Sequence, residues 1–89
     1  MLAPDEIEFG VDDYIRTKSR YAESIMRMGD LHLAIDKFEN AKASIENEIV
    51  YEHPMLFVNI CNQLGNCYLK AQNVKRALEN FEQSLQMIN

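Results

Sequence analysis

The chain has 89 residues, 47% hydrophobic and 26% charged, which makes one small globular domain or a fragment of a larger repeat array and excludes general disorder. A net charge of -5 argues against a nucleic-acid or anionic-membrane partner, because phosphate groups are bound by basic surfaces. No apolar run approaches the roughly 18 residues of a membrane span, and the N-terminus has neither the basic nor the apolar region of a secretory signal, so a cytoplasmic, intracellular protein is expected.

In chain order, residues 1–10 combine Asp5, Glu6 and Glu8 with Pro4 and show no helical period, which predicts an acidic arm. Its Ile7 and Phe9 can dock on a neighbouring surface. Asp12 and Asp13 suit a helix start, where carboxylates meet the positive end of the helix dipole. The spacing predicts a first helix from about Asp12 to Met28, with Tyr14, Tyr21, Ile25 and Met28 on its buried side. Gly29 stops it, and Asp30 caps a second helix running to near Val50, whose Leu31, Ala34, Ile35, Phe38, Ala41, Ile45 and Ile49 fall on one stripe. Tyr51 to His53 connect, and Pro54 opens a third helix because its missing N–H is not needed in a first turn. There Phe57, Ile60, Cys61, Leu64, Tyr68 and Ala71 recur at helical spacing, so the helix ends near Ala71. Asn73 caps a fourth, with Val74, Ala77, Leu78, Phe81, Leu85 and Ile88 as its apolar stripe. No segment alternates with period two. The expected fold class is all-α: two stacked antiparallel helix hairpins, residues 11–50 and 54–89, joined by residues 51–53.

The two hairpins share a register of 43 residues, the step from Ala34 to Ala77. The same step relates Phe38 to Phe81, Ala41 to Ser84, Tyr21-Ala22 to Leu64-Gly65, Ile25 to Tyr68 and Gly29-Asp30 to Gln72-Asn73. Small residues stay small, large apolar residues stay large, and the break stays a break. Small Gly65 and Ala77 fit places where two helices approach closely, with Tyr68 and Phe81 filling the space beside them.

The run Cys61-x2-Leu64-Gly65-x2-Tyr68, followed by Ala77-x3-Phe81, resembles the tetratricopeptide repeat, with Cys61 where Trp is usual and Asn89 where a closing Pro is usual. The step exceeds the family's usual period of about 34 residues, and the excess falls between Ala43 and His53. In this it resembles the lengthened repeats of the kinesin light chain type, which often carry a His-Pro such as His53-Pro54 ahead of a helix. The resemblance implies an α-solenoid segment in which Tyr21, Ala22, Ala34, Phe38, Ala41, Leu64, Gly65, Tyr68, Ala77 and Phe81 are structural, and a role in protein–protein interaction.

No catalytic constellation is present: no phosphate loop, no G-x-S-x-G elbow, no H-E-x-x-H pair. No enzyme activity and no cofactor are therefore expected. Cys61 and Cys67 lie six residues apart on one predicted helix, well over 7 Å at about 1.5 Å per residue, too far for a disulfide. With His32 and His53 at no metal spacing, no metal is expected either, and the thiols read as buried and free.

The polar faces of the first and third helices carry more. Arg16, Arg20, Glu23 and Arg27 share one helix face, and Asn59, Gln63, Asn66 and Lys70 are their 43-residue equivalents, with Asn62 beside them. In the family these positions line a concave groove that receives peptides. Asn and Gln amides both donate and accept, as an extended peptide backbone does, and the arginine fork suits carboxylates. The clamp that some relatives use for chaperone tails has Lys and Asn where Ser19 and Glu23 stand, so a chaperone co-factor is not expected. The same residues also suit a plain solvated face, Glu23 and Arg27 being a favourable i,i+4 pair. The expected function is an adaptor or scaffold segment binding an acidic peptide or helix of a partner protein, with charge reversal at Arg20 harmful and at Lys42 harmless. The alternative is a structural role, in which the stack mediates self-assembly or caps a longer array.

Overall fold

The computed structural model describes residues 11–48 and 53–88, and the capping residues set where its helices begin and end. Among the described residues there are four: α1 (Val11–Arg27), α2 (Leu31–Glu48), α3 (Pro54–Lys70) and α4 (Val74–Ile88). Among the described residues there is no strand, and no helix is long and apolar enough to cross a membrane. The expected acidic arm, the Ile49 and Val50 end of the second helix, and Tyr51 and Glu52 of the connector lie outside the described residues.

The two turns within the hairpins are the same turn. Gly29 (φ 93°) and Gln72 (φ 64°) both adopt the left-handed conformation. The Asp30 N–H donates to the Ile25 carbonyl and the Gly29 N–H to Met26, and 43 residues on Asn73 donates to Tyr68 and Gln72 to Leu69. Each is a Schellman closure that satisfies the last carbonyls of a helix. The next helix is then capped by a side chain: Asp30 Oδ1 accepts from the Leu33 N–H at 3.1 Å, and Asn73 Oδ1 from the Arg76 N–H at 3.2 Å. Pro54 opens α3 from His53 as expected. A β-carbon at Gly29 would meet nothing within 4 Å, so the two turns differ only in conformational cost. Gln72→Gly is expected to stabilise the chain by about 0.5 kcal/mol and Gly29→Ala to destabilise it by about 1 kcal/mol. Opposite shifts of the urea midpoint would show it.

Helices α1 and α2 form one hairpin and α3 and α4 the other, with α2 packed on α3 and α1 touching α3. Phe38, Ile45, Ile60, Leu64, Cys61 and Cys67 are fully buried, and both cysteines are free. Cys67 Sγ lies 3.1 Å from Met26 Sδ across the α1–α3 contact, and burial pushes its thiol pKa up. Gly65 is covered by the ring of Phe81: a β-carbon there would lie 2.5 Å from Phe81 Cε1 and Cζ. The close approach expected at Gly65 is therefore filled by the aromatic ring itself.

One expectation about the outer helices is corrected. The buried side of α1 is Ile15, Ser19, Ala22 and Ile25, while Tyr14, Tyr21 and Met28 are exposed (60%, 58% and 84%). The 43-residue equivalents of the two tyrosines, Phe57 and Leu64, are buried because α2 packs on α3, whereas no described helix lies on the corresponding side of α1. Tyr21 is thus a surface residue in this chain. Of the expected apolar stripe of α4, Ala77 is buried and Phe81 half-buried, while Val74, Leu78, Leu85 and Ile88 are exposed; Asn80 and Ser84 are buried beside them.

Polar side chains close the seams. Lys42 Nζ donates to Asn80 Oδ1 at 3.0 Å and to Gln83 Oε1, tying α2 to α4, and Asn80 Nδ2 donates to the Arg76 carbonyl. Lys42 is therefore a structural bridge. The Tyr68 hydroxyl donates to Glu39 Oε2 at 2.6 Å, between α3 and α2. Burial, and then the hydrogen bond and negative charge of Glu39, push the Tyr68 pKa up to about 12. A phenol raised in the folded state contributes stability that is complete below its unfolded value of about 10 and is lost as pH climbs through its folded one. Tyr68→Phe is expected to cost about 1 kcal/mol at neutral pH and to flatten the alkaline limb of stability. Urea titrations of both chains at rising pH would show the difference closing.

Candidate functional site

A cleft of about 370 Å³ opens between α1 and α3. Helix α1 supplies Arg16, Ser19, Arg20 and Glu23 because these fall at steps of three and four, and α3 supplies Met55, Leu56 and Asn59. The walls are charged and the base mixes a hydroxyl with an apolar side chain: Ser19 and Leu56 are buried, while Met55 is 68% exposed at the rim. A second hollow, about 320 Å³, continues along α1 past Arg20 and Glu23 to Ser24 and Arg27. Arg27 Nη2 sits 3.4 Å from Glu23 Oε1, so one arginine is occupied by the local carboxylate while Arg16 and Arg20 face the first cleft. The balance of Arg16, Arg20 and Arg27 against Glu23 is positive in a chain of net charge -5. A carboxylate entering the cleft meets two guanidinium groups beside an apolar patch of Met55 and Leu56.

The structure therefore brings together Arg16, Arg20, Glu23 and Asn59 around one cleft, with Arg27 next to it. Gln63, half-buried, and the exposed Asn66 and Lys70 run on along α3 outside it. Asn62 is turned the other way. Its Oδ1 lies 2.9 Å from the Ser84 hydroxyl of α4, which is equally close to the Phe81 carbonyl and can give its one proton to either. Met55 and Leu56 were not expected here, although Met55 stands four residues before Asn59 and so shares its face. Among the described residues no group of three or more His, Cys, Asp or Glu side chains is placed to hold a metal ion.

Residues 58–88, from within α3 to the end of α4, match the family model of the tetratricopeptide repeat, about a third of the chain. Repeats of this family generally mediate protein–protein interaction and are typically non-catalytic. Neither the curated proteins nor the solved structures gave a match.

Proposed function

Starting from a repeat that matches the tetratricopeptide family over residues 58–88, we propose that the chain is an adaptor or scaffold segment whose concave face, between α1 and α3, binds an acidic peptide or helix of a partner protein. The observation that carries this is the cleft itself, where Arg16 and Arg20 flank the apolar Met55 and Leu56. The preferred ligand places a carboxylate against the arginines, one medium-sized apolar side chain on Met55, and its backbone along Asn59. Gln63, Asn66 and Lys70 extend the track along α3. The unit 11–50 acts as a first repeat and 54–89 as a second, of the lengthened kinesin-light-chain-like kind, in a cytoplasmic protein. The identical turns at Gly29 and Gln72 support that division.

Fluorescence anisotropy with labelled peptides of alternating Glu and Leu, against matched Lys and Leu peptides, tests it. The acidic peptides are expected to bind, and Arg20→Glu to weaken them about tenfold or more, in line with a charge-assisted contact of about 1.5 kcal/mol. Lys75→Glu, on exposed α4, should change little; Lys42 is unsuitable as a control because it bridges α2 and α4. Affinity should fall with salt, since exposed charges are screened over roughly 10 Å at 0.1 M. Equal losses from Arg20→Glu and Lys75→Glu, or salt-independent binding, would assign recognition to net charge or an apolar surface and away from the cleft.

A further inference from the structure

Inside the chain, one apolar face covers another. At the α2–α3 junction Phe57, Cys61 and Leu64 of α3 are buried, and so is Ile45 of α2. The 43-residue register makes a second version of each face. Tyr14, Lys18 and Tyr21 on α1 correspond to Phe57, Cys61 and Leu64, and Val74, Leu78, Leu85 and Ile88 on α4 correspond to Leu31, Ile35, Lys42 and Ile45. Both second versions are uncovered by any described residue, with the two tyrosines and the four aliphatic residues 54 to 60% exposed.

The contacts of the covered junction indicate what would meet what. Lys42 reaches Asn80 and Gln83. Moved by one register, Lys42 becomes Leu85, and Asn80 and Gln83 become Lys37 and Asn40 of another copy. Those two residues, with Lys18 and Tyr21, line a hollow of about 170 Å³ on the outer side of the first hairpin. A leucine is a fitting occupant for a hollow of that size beside a tyrosine ring. Shape and apolar character therefore match between the two ends of one chain.

We propose that the chain stacks head to tail on copies of itself, the α4 face of one seating on the α1 face of the next with Leu85 in the Lys18–Tyr21–Lys37–Asn40 hollow. Such a contact joins different patches on the two copies, so it does not close after two subunits and builds open assemblies. It uses neither Arg16, Arg20 nor Met55, and is independent of peptide binding in the cleft.

Sedimentation velocity on the 89-residue chain tests this. The mass should rise with concentration above the 10.3 kDa of one copy. Leu85→Glu and, separately, Tyr21→Glu with Lys37→Glu should each give monomers at every concentration, with helical circular dichroism unchanged because Tyr21 and Leu85 are exposed and Lys37 is only half-buried. Mixing the two variants is the decisive arm, since each retains the face the other has lost. A single 1:1 complex of twice the monomer mass is expected. A wild-type chain that stays monomeric throughout overturns the proposal. So does a Tyr21→Glu/Lys37→Glu variant that still dimerises alone, which would mean that α4 pairs with α4, and so does a mixture that forms no complex.

Discussion

Gly65→Leu is expected to leave the chain largely unfolded, and Gly65→Ala to lower its thermal midpoint by several degrees. The second result is the more informative, because two effects of opposite sign compete. Alanine in a helix interior is favoured over glycine by about 1 kcal/mol, so a site with room would be stabilised. Here the added carbon would lie 2.5 Å from two carbons of the Phe81 ring, well inside contact distance, and the ring must move. Overpacking of this kind costs about 1 to 3 kcal/mol, which exceeds the gain in propensity. The first hairpin sets an upper bound on the damage: Ala22 holds the equivalent place, fully buried, beside an equally buried Phe38. A β-carbon can thus be housed when the hairpin is spaced for it. Leucine has no such precedent, and Ala77→Leu, at another fully buried small position, should be comparably harmful. In a Phe81→Leu background Gly65→Ala should turn neutral or stabilising, a coupling of about 1 to 3 kcal/mol readable from a double-mutant cycle of urea midpoints. Additive effects would mean that the Phe81 ring does not rest on Gly65.

What the sequence made legible divides along a physical line. The breaks at Gly29-Asp30, Pro54 and Gln72-Asn73 were legible because caps and turns are decided by the residues that form them: a left-handed φ, a side-chain acceptor, a missing N–H. The 43-residue register was legible for the same reason, and it reappears as identical hydrogen bonds in both turns. Burial on α1 was not legible. A helix in isolation shows which of its residues are apolar but not which side receives a neighbour, and Ser19, polar yet 6% exposed, interrupts the stripe that is in fact buried. The cleft shows the same division. Arg16, Arg20 and Glu23 follow from spacing on one helix, whereas Asn62 sits about 60° round α3 from Asn59 at 100° per residue, where the choice between cleft and α4 falls to Ser84.

Phe38→Ala is expected to cost about 3 to 5 kcal/mol, the range for emptying a buried aromatic site, and Phe81→Ala about half as much. The two phenylalanines hold the same register position, so propensity, local sequence and rotamer preference are closely matched. The difference is coverage. Phe38 is fully buried, in a helix with α1 on one side and α3 on the other. Phe81 is half-buried, in a helix that packs on α3 and is tied to α2 by the Lys42 hydrogen bonds, and its loss opens a surface notch above Gly65 into which water can enter. For a domain of this size, with about 5 to 15 kcal/mol or less to lose, the first substitution should bring the urea midpoint close to zero while the second leaves a clear transition. Measured at high dilution, where copies are apart, the ratio of the two costs reports on the outer face of α4. If Phe81→Ala proves as costly as Phe38→Ala there, something in the chain itself covers that face, and Leu78, Leu85 and Ile88 are core residues and not a docking surface.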